Sequence, residues 1–416
     1  MKDSIRGITM KDSGLQCSIF DDENPLKITK TLRLIELFAG IGAQAKALEN
    51  LGVNFEHYRI CEFDKYAVAS YNAVHGTNFE TSDITKIHAD DLGIVETDKY
   101  EYIMTYSFPC TDLSTAGKQK GMSRDSGTRS GLLWEVERLL KETKELPQIL
   151  LMENVPGVLS EKNKKDFLEW CGVLESLGYT SKYKILNAKD YGIPQNRDRV
   201  FMISWLGEYY YNFPDKKPLS LMLKDFLERS VDKKYYLSEK AINGFLKHTK
   251  ESIEKKNGFR FEPTNGKGIA KAVLSKAGSR PCDNYIVLDE QNGYIRKDGT
   301  IGALTTDGSS PKHNNRIIEK VRVFQYAHGY LPGGEIDGNI FPTVRVSNTD
   351  RYNNAIQVNS DTRIRKLTPK ECWRLMGFDD ESFFKAEKVV SNSQLYKQAG
   401  NSIAVNVLME IFEKLF

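Results

Sequence analysis

From residue 31 to about 205 the apolar positions switch repeatedly between two periods. Leu32-Arg-Leu-Ile-Glu-Leu-Phe38 is a short apolar run of strand character, Ala43 to Leu51 repeats at helical spacing, and His57-Tyr-Arg-Ile-Cys-Glu62 reads as the next strand. A helix follows over Lys65 to His75. Further on, Tyr102–Phe108 and Gln148–Met152 are again strand-like. Between them Gly131 to Lys144 reads as an amphipathic helix, with Leu132, Leu133, Val136, Leu139 and Leu140 on one side. Strands alternating with helices at this spacing predict βαβ units and an α/β fold built on a mostly parallel sheet.

Between 206 and 360 the pattern changes. Gly and Asn become frequent, and short strand-like runs such as Tyr285–Leu288 sit between turns. After 361, Thr368-Pro-Lys-Glu371 carries the signs of a helix start: a hydroxyl cap, Pro at the first helical position and Glu closing a capping box. The last helix, Ile403 to Leu415, returns to the pattern of 31–205. The predicted organisation is an N-terminal arm (1–30), a catalytic domain assembled from 31–205 and 361–416, and a smaller domain inserted at 206–360.

Composition narrows the class. At 416 residues, two or three domains are expected. Lys and Arg total 59 against 56 Asp and Glu, too even to announce nucleic acid, but residues 205–360 carry 24 against 18. A basic excess in one segment is what a phosphate-facing surface needs. The six cysteines show no Cys-x-x-Cys spacing, so no cysteine zinc site, no disulfide framework and no metal are expected, and a reducing cytoplasm is. No apolar run approaches the roughly 18 residues of a membrane span. Lys2, Asp3, Arg6, Lys11 and Asp12 interrupt any signal-peptide core.

Two clusters carry candidate chemistry. Phe108-Pro109-Cys110 and Met152-Glu153-Asn154-Val155 each follow a predicted strand, and residues just past the carboxyl ends of parallel strands converge on one crevice. A thiol would there meet a carboxyl, a nucleophile beside an acid. Taken singly, a Cys after Pro is more often a small buried hydrophobe, and Glu-Asn more often a turn. Gly40-Ile-Gly42 lies between a strand and a helix, with Ala45 where a dinucleotide fingerprint has its third glycine, so these residues alone do not exclude NAD. Glu62 ends the next strand, where an acid accepts ribose hydroxyls, and Asp83-Ile84 is expected to end the strand after that.

Six blocks stand in order along the chain: Glu36-Leu-Phe-Ala-Gly-Ile-Gly42, Pro109-Cys110, Glu153-Asn154-Val155, Gln195-Asn-Arg197-Asp-Arg199, Arg365-Lys-Leu-Thr-Pro-Lys-Glu-Cys-Trp-Arg-Leu-Met-Gly-Phe378 and Gln398-Ala-Gly-Asn401-Ser402. Together they resemble the bacterial C5-cytosine DNA methyltransferases, over about 31–205 and 361–416. Ala43 stands where many members have a further Gly. The stretch Thr105 to Val155 is most similar to members that methylate CpG, although specificity need not travel with catalysis.

The resemblance implies the S-adenosylmethionine-dependent methyltransferase fold with an inserted target-recognition domain. It also implies methyl transfer to C5 of a cytosine flipped out of duplex DNA, by a monomer of the kind restriction–modification systems use. Cys110 would add to C6 and Glu153 would donate to N3. Arg197 would donate to O2, and Arg199 would orient Cys110 or the loop. Phe38, Ala39, Gly40 and Gly42 would wrap the methionine part of S-adenosylmethionine, Glu62 would hold its ribose, and Asp83 with Ile84 its adenine. Asn401 and Ser402 would close the pocket. Ser114, Lys118 and Lys120, in a Ser-, Gly- and Lys-rich loop, would meet phosphates, and Thr343-Val344 would pack around the flipped base. The same fold acting on transfer RNA is the competing reading. The long middle region speaks against it, because relatives acting on RNA tend to have a short one.

Overall fold

The apolar run over 32–37 is buried on both faces, with Leu32, Leu34, Ile35 and Leu37 all shielded from solvent, as an interior strand with helices above and below requires. The structure is a computed structural model that describes residues 24–113, 120–124, 126–254, 260–288 and 363–416. In chain order its elements are β1 (Thr31–Leu37), α1 (Ala43–Asn50), β2 (Phe55–Cys61), α2 (Lys65–His75), α3 (Ala89–Leu92), β3 (Tyr100–Tyr106), α4 (Leu133–Glu142), β4 (Ile149–Asn154), α5 (Lys164–Ser176), β5 (Tyr179–Asn187), β6 (Gln195–Asn196) and β7 (Asp198–Leu206). Then follow α6 (Glu239–Glu254), β8 (Ala270–Lys271), β9 (Tyr285–Leu288), β10 (Arg363–Lys366), α7 (Pro369–Arg374), α8 (Asp380–Glu387), α9 (Asn392–Asn401) and α10 (Val405–Glu413).

Six strands form one sheet in the order β2-β1-β3-β4-β7-β5. The first four run parallel, while β7 is antiparallel to both β4 and β5. The reversal has a consequence for the site. The amino end of β7 lies at the edge where β1 to β4 finish, so Arg199 enters beside Glu153 without a crossover. On α4, Leu133, Val136, Leu139 and Leu140 are buried in the main core, the side expected from their spacing. That core also takes in Trp170 of α5 and Met104 and Met152 of the sheet. On the other side α1 packs against α10.

The chain divides into two compact units. The described residues of the first run to Glu228 and include Gly266–Asn284 and Leu367–Phe416. Those of the second are Arg229–Asn265 with Tyr285–Leu288 and Arg363–Lys366. The cut therefore falls differently from a division at 206 and 360. Residues 206–228 and 266–284 belong with the large sheet, the latter because β8 pairs with β6 and Ala270 N–H donates to Pro194 O at 2.7 Å. In the second unit β9 and β10 pair antiparallel, and Ile242, Phe261, Tyr285 and Ile364 form a small core.

Thr368 caps α7 through the predicted box: its Oγ1 accepts Glu371 N–H at 3.2 Å, and Glu371 Oε2 accepts Thr368 N–H at 2.8 Å. One expectation fails at this level. Asp83-Ile84 ends no strand but sits in a turn, because the Asp83 carboxylate accepts Thr85 N–H at 3.1 Å and Thr85 Oγ1–H at 2.8 Å and folds the chain back locally.

Candidate active site

Cys110 lies just past β3, Glu153 near the end of β4 and Arg199 near the start of β7, all on the same sheet edge. Asn154 Nδ2 donates to Phe108 O at 2.9 Å and ties the Phe-Pro-Cys turn to β4. Gly157 allows the two segments to touch, since a Cβ there would meet Leu113 O at 2.2 Å. Behind the turn, Ser130 Oγ donates to Pro109 O at 2.6 Å and the Asp112 carboxylate accepts Arg129 N–H at 3.0 Å. Ser130 is fully buried and Asp112 nearly so; both position the cysteine turn, and nothing in their sequence context announces them.

The electrostatics favour the protonated form of both groups, which suits an acid at Glu153, whereas Cys110 has to give up its proton before it can attack. Arg199 Nε lies 3.0 Å from Glu153 Oε1. Burial nevertheless pushes the Glu153 carboxyl above its ordinary range, with Arg199 and then Arg197 pulling the other way. Burial likewise pushes the Cys110 thiol up, the Glu153 charge adds to this, and Arg199 and Arg197 oppose it.

Arg197 does something else with its donors. It is buried, and its Nη1 donates to Val273 O at 2.9 Å while Nη2 donates to Gly400 O at 2.9 Å and Ser402 O at 2.7 Å. Only Nε has no partner. Its terminal nitrogens are thus held by three backbone carbonyls, and of its three side-chain nitrogens only Nε remains for a contact to cytosine O2. Arg199 is the arginine whose side chain meets Glu153. Gln195 reinforces the same junction, accepting Val273 N–H at 2.9 Å and donating to Leu375 O at 2.7 Å.

Beside β1, Phe38, Gly40 and Gly42 all take positive φ, 58°, 58° and 76°. Gly42 is confined as well as left-handed, because a Cβ would come within 2.3 Å of His75 Nε2. Around Gly40, among the described residues other than its chain neighbours, no atom lies within 4 Å of where a Cβ would stand, so that side of the turn is open. Phe38 N–H and Ala39 N–H donate to Cys61 O at 2.7 and 3.3 Å, and Gly40 N–H donates to Glu62 Oε2 at 2.9 Å. Glu62 also accepts Asp64 N–H at 2.8 Å, and burial raises its carboxyl. Ser82 N–H donates to Glu62 O at 2.9 Å, which sets the Asp83-Ile84 turn alongside. Ile84 is buried, and its carbonyl accepts Arg138 Nη2 at 2.9 Å.

Phe63, directly after Glu62, is 77% exposed, an aromatic ring open to solvent. Its place after the strand-ending acid was the only sequence signal. Ser402, which caps the end of α9, is buried, and Asn401 is exposed. Lys120 is exposed; Ser114, Lys118, Thr343 and Val344 lie outside the described residues.

The model of the C-5 cytosine-specific DNA methylase family matches residues 32–416. Among curated proteins the chain is 33% identical to the type II methyltransferase M2.ScrFI of Lactococcus lactis subsp. cremoris, covering 92% of this chain and 99% of that one. It is 31% identical to the orphan methyltransferase M.SssI of Spiroplasma monobiae, covering 93% and 98%. Among solved structures, Entamoeba histolytica methyltransferase EhMeth superposes with a TM-score of 0.63 at 17% identity over 93% of this chain and 98% of that one. The Dnmt2 methyltransferase of S. pombe gives 0.61 at 18% over the same shares. At such identities the structures establish the fold.

Proposed function

This chain belongs to the C-5 cytosine-specific DNA methylases, and from that premise we propose how its residues methylate C5 of a cytosine in duplex DNA. The observation that carries the reading is Cys110, Glu153 and Arg199 gathered at one sheet edge beside a glycine turn backed by Glu62. C5 of cytosine is a weak nucleophile. A Cys110 thiolate adding to C6 makes the ring enamine-like, and Glu153 in its protonated form delivers a proton to N3 as negative charge develops. The raised Glu153 carboxyl supports this role, since a proton must be present to be given.

Arg199, 3.0 Å from Glu153, steadies that carboxyl, and because it pairs with the proposed acid we assign it the contact to the base edge. Arg197 fastens the 400–402 and 273 segments behind it. Loss of the C5 proton and expulsion of Cys110 restore the ring. The base in a duplex is out of reach, so it is flipped out first.

The open side of Gly40, the Glu62 carboxylate and the exposed Phe63 ring fit S-adenosylmethionine, which supplies the methyl group as a sulfonium. Glu62 would take the ribose hydroxyls and Phe63 would offer a face to the adenine. Phe38, Ala39 and Gly42 would shape the methionine end, with Asp83 and Ile84 near the adenine and Asn401 and Ser402 closing the far side. Lys120, with Ser114 and Lys118, would meet backbone phosphates. Residues 206–360, including Thr343-Val344, would carry target recognition. Type II and orphan methyltransferases both occur among the relatives, and the type II enzymes are the kind that restriction–modification systems use. Among the described residues no helix is long and apolar enough to cross a membrane.

Tritiated S-adenosylmethionine offered with duplex DNA or with transfer RNA tests the substrate, and labelled DNA alone is expected. Duplex carrying 5-fluorocytosine should trap the protein covalently, and Cys110→Ala should abolish trapping while DNA still binds. Methylation that survives in Cys110→Ala would overturn the mechanism.

A further inference from the structure

Behind the glycine turn, on the side away from Glu62, three side chains from three elements converge: Glu49 of α1, His57 of β2 and His75 of α2. Their ligand atoms all lie within 4.8 Å of one another. His75 is fully buried at its side chain, and Glu49 and His57 are largely so.

The hydrogen bonds around the cluster fix which atoms carry lone pairs. Tyr71 gives its hydroxyl proton to Glu36 Oε2 at 2.5 Å, so at His57 Nδ1, 3.2 Å away, it acts as acceptor. Nδ1 of His57 is then the protonated nitrogen, and Nε2 presents a bare lone pair to Glu49 Oε1 at 3.6 Å. His75 Nε2 faces the Ile41 carbonyl at 3.1 Å, and a carbonyl can only accept, so this nitrogen donates. That leaves His75 Nδ1 directed at the same oxygen, Glu49 Oε1, at 2.6 Å. Two imidazole nitrogens and a carboxylate oxygen are therefore gathered within 4.8 Å of one another, held in the metal-free protein by a proton shared between His75 and Glu49, which a cation could replace.

We propose that Glu49, His57 and His75 form a site for one divalent transition-metal ion of the zinc class, clasping α1, β2 and α2 together behind the cofactor turn. Ligands about 2.0–2.1 Å from a tetrahedral ion stand roughly 3.4 Å apart; the 3.6 Å between His57 Nε2 and Glu49 Oε1 is close to this, and His75 Nδ1 must draw back from its 2.6 Å hydrogen bond to Glu49 as the ion displaces the shared proton. Each histidine also hydrogen-bonds through its other nitrogen, the outer-shell arrangement that orients metal-bound imidazoles. The Lys46 ammonium stands 3.6 Å from Glu49 Oε2, but Asp379 holds it at 2.7 Å, away from the point of convergence. Mixed nitrogen and oxygen donors exclude a preference for calcium or magnesium. A water or solvent ligand would complete the coordination.

The test uses the full chain, stripped with a chelator and titrated with Co2+ and then Zn2+. The expected result is one equivalent of Co2+ giving visible d–d bands without thiolate charge transfer, displaced by Zn2+. His57→Asn and Glu49→Gln should each weaken binding by about tenfold or more, while His57→Cys should retain the ion and add a thiolate band. Thermal melting in chelator, matched to wild type, establishes that the variants are folded. Absence of stoichiometric binding in the wild type, affinity unchanged in folded His57→Asn, or thiolate charge transfer in the wild type would each overturn the proposal.

Discussion

Burial pushes both the Cys110 thiol and the Glu153 carboxyl upward, yet the proposed mechanism needs the first without its proton and the second with it. As pH rises toward the raised carboxyl pKa, thiolate accumulates while Glu153 is still protonated, so the rate climbs. Between the two pKa values the gain in thiolate offsets the loss of acid, and above the thiol pKa the rate falls. A profile of kcat/KM against pH should show both the rise and the fall. In Glu153→Gln the rate should be strongly reduced and the alkaline fall should go, leaving a rise to a plateau. An alkaline fall unchanged in that variant would remove Glu153 as its source.

The two arginines separate by a different measurement. Arg197→Ala leaves two buried carbonyls and one part-buried carbonyl without donors and should lower stability by about 3 kcal/mol or more, read as a drop in melting temperature. Arg199→Ala, at a partly exposed site, should cost activity more than stability. That Cys110 and Glu153 stand at strand ends was legible in the sequence, because each comes at the end of an apolar run of strand character. The division of labour between Arg197 and Arg199 was not, because spacing says nothing of which guanidinium the fold buries against carbonyls.

Among elements, those that rest on local chemistry were legible. The α2 span and the α7 cap follow from residue pattern alone. Thr368→Ala should cost about 1–2 kcal/mol, seen in thermal melts. The loss should exceed that at an exposed cap, because Thr368 also donates to Glu228 Oε2 at 2.5 Å. The Asp83-Ile84 turn was misread as a strand end because an apolar residue beside an acid has that look, whereas the Thr85 hydroxyl decides the conformation. The reversal of β7 was hidden for a related reason. Apolar periodicity marks a strand but not its direction, and only pairing to β4 and β5 reveals it.

For the whole molecule, the α/β class and the presence of a separate middle segment could be read from residue pattern, but the cut points could not. Pattern follows local composition, and what assigns 266–284 to the sheet unit is long-range bonding to Pro194, Gln195 and Arg197. A chimera in which 229–265 and 285–366 come from a relative of known specificity should stay soluble and methylate that relative's target. Replacing 206–360 as one block should melt at a lower temperature, because it substitutes the bonded 266–284 strip. Equal melting temperatures for the two chimeras would count against this division, as would retention of the original target in the first.

The packing of α1 against α10 carries a consequence for how the protein is made. The cofactor turn opens directly into α1, and the helix that covers α1 is translated only after the entire middle segment. A nascent chain therefore leaves the ribosome with that face of its first helix bare, and a truncated product ending before residue 405 lacks the helix that covers it.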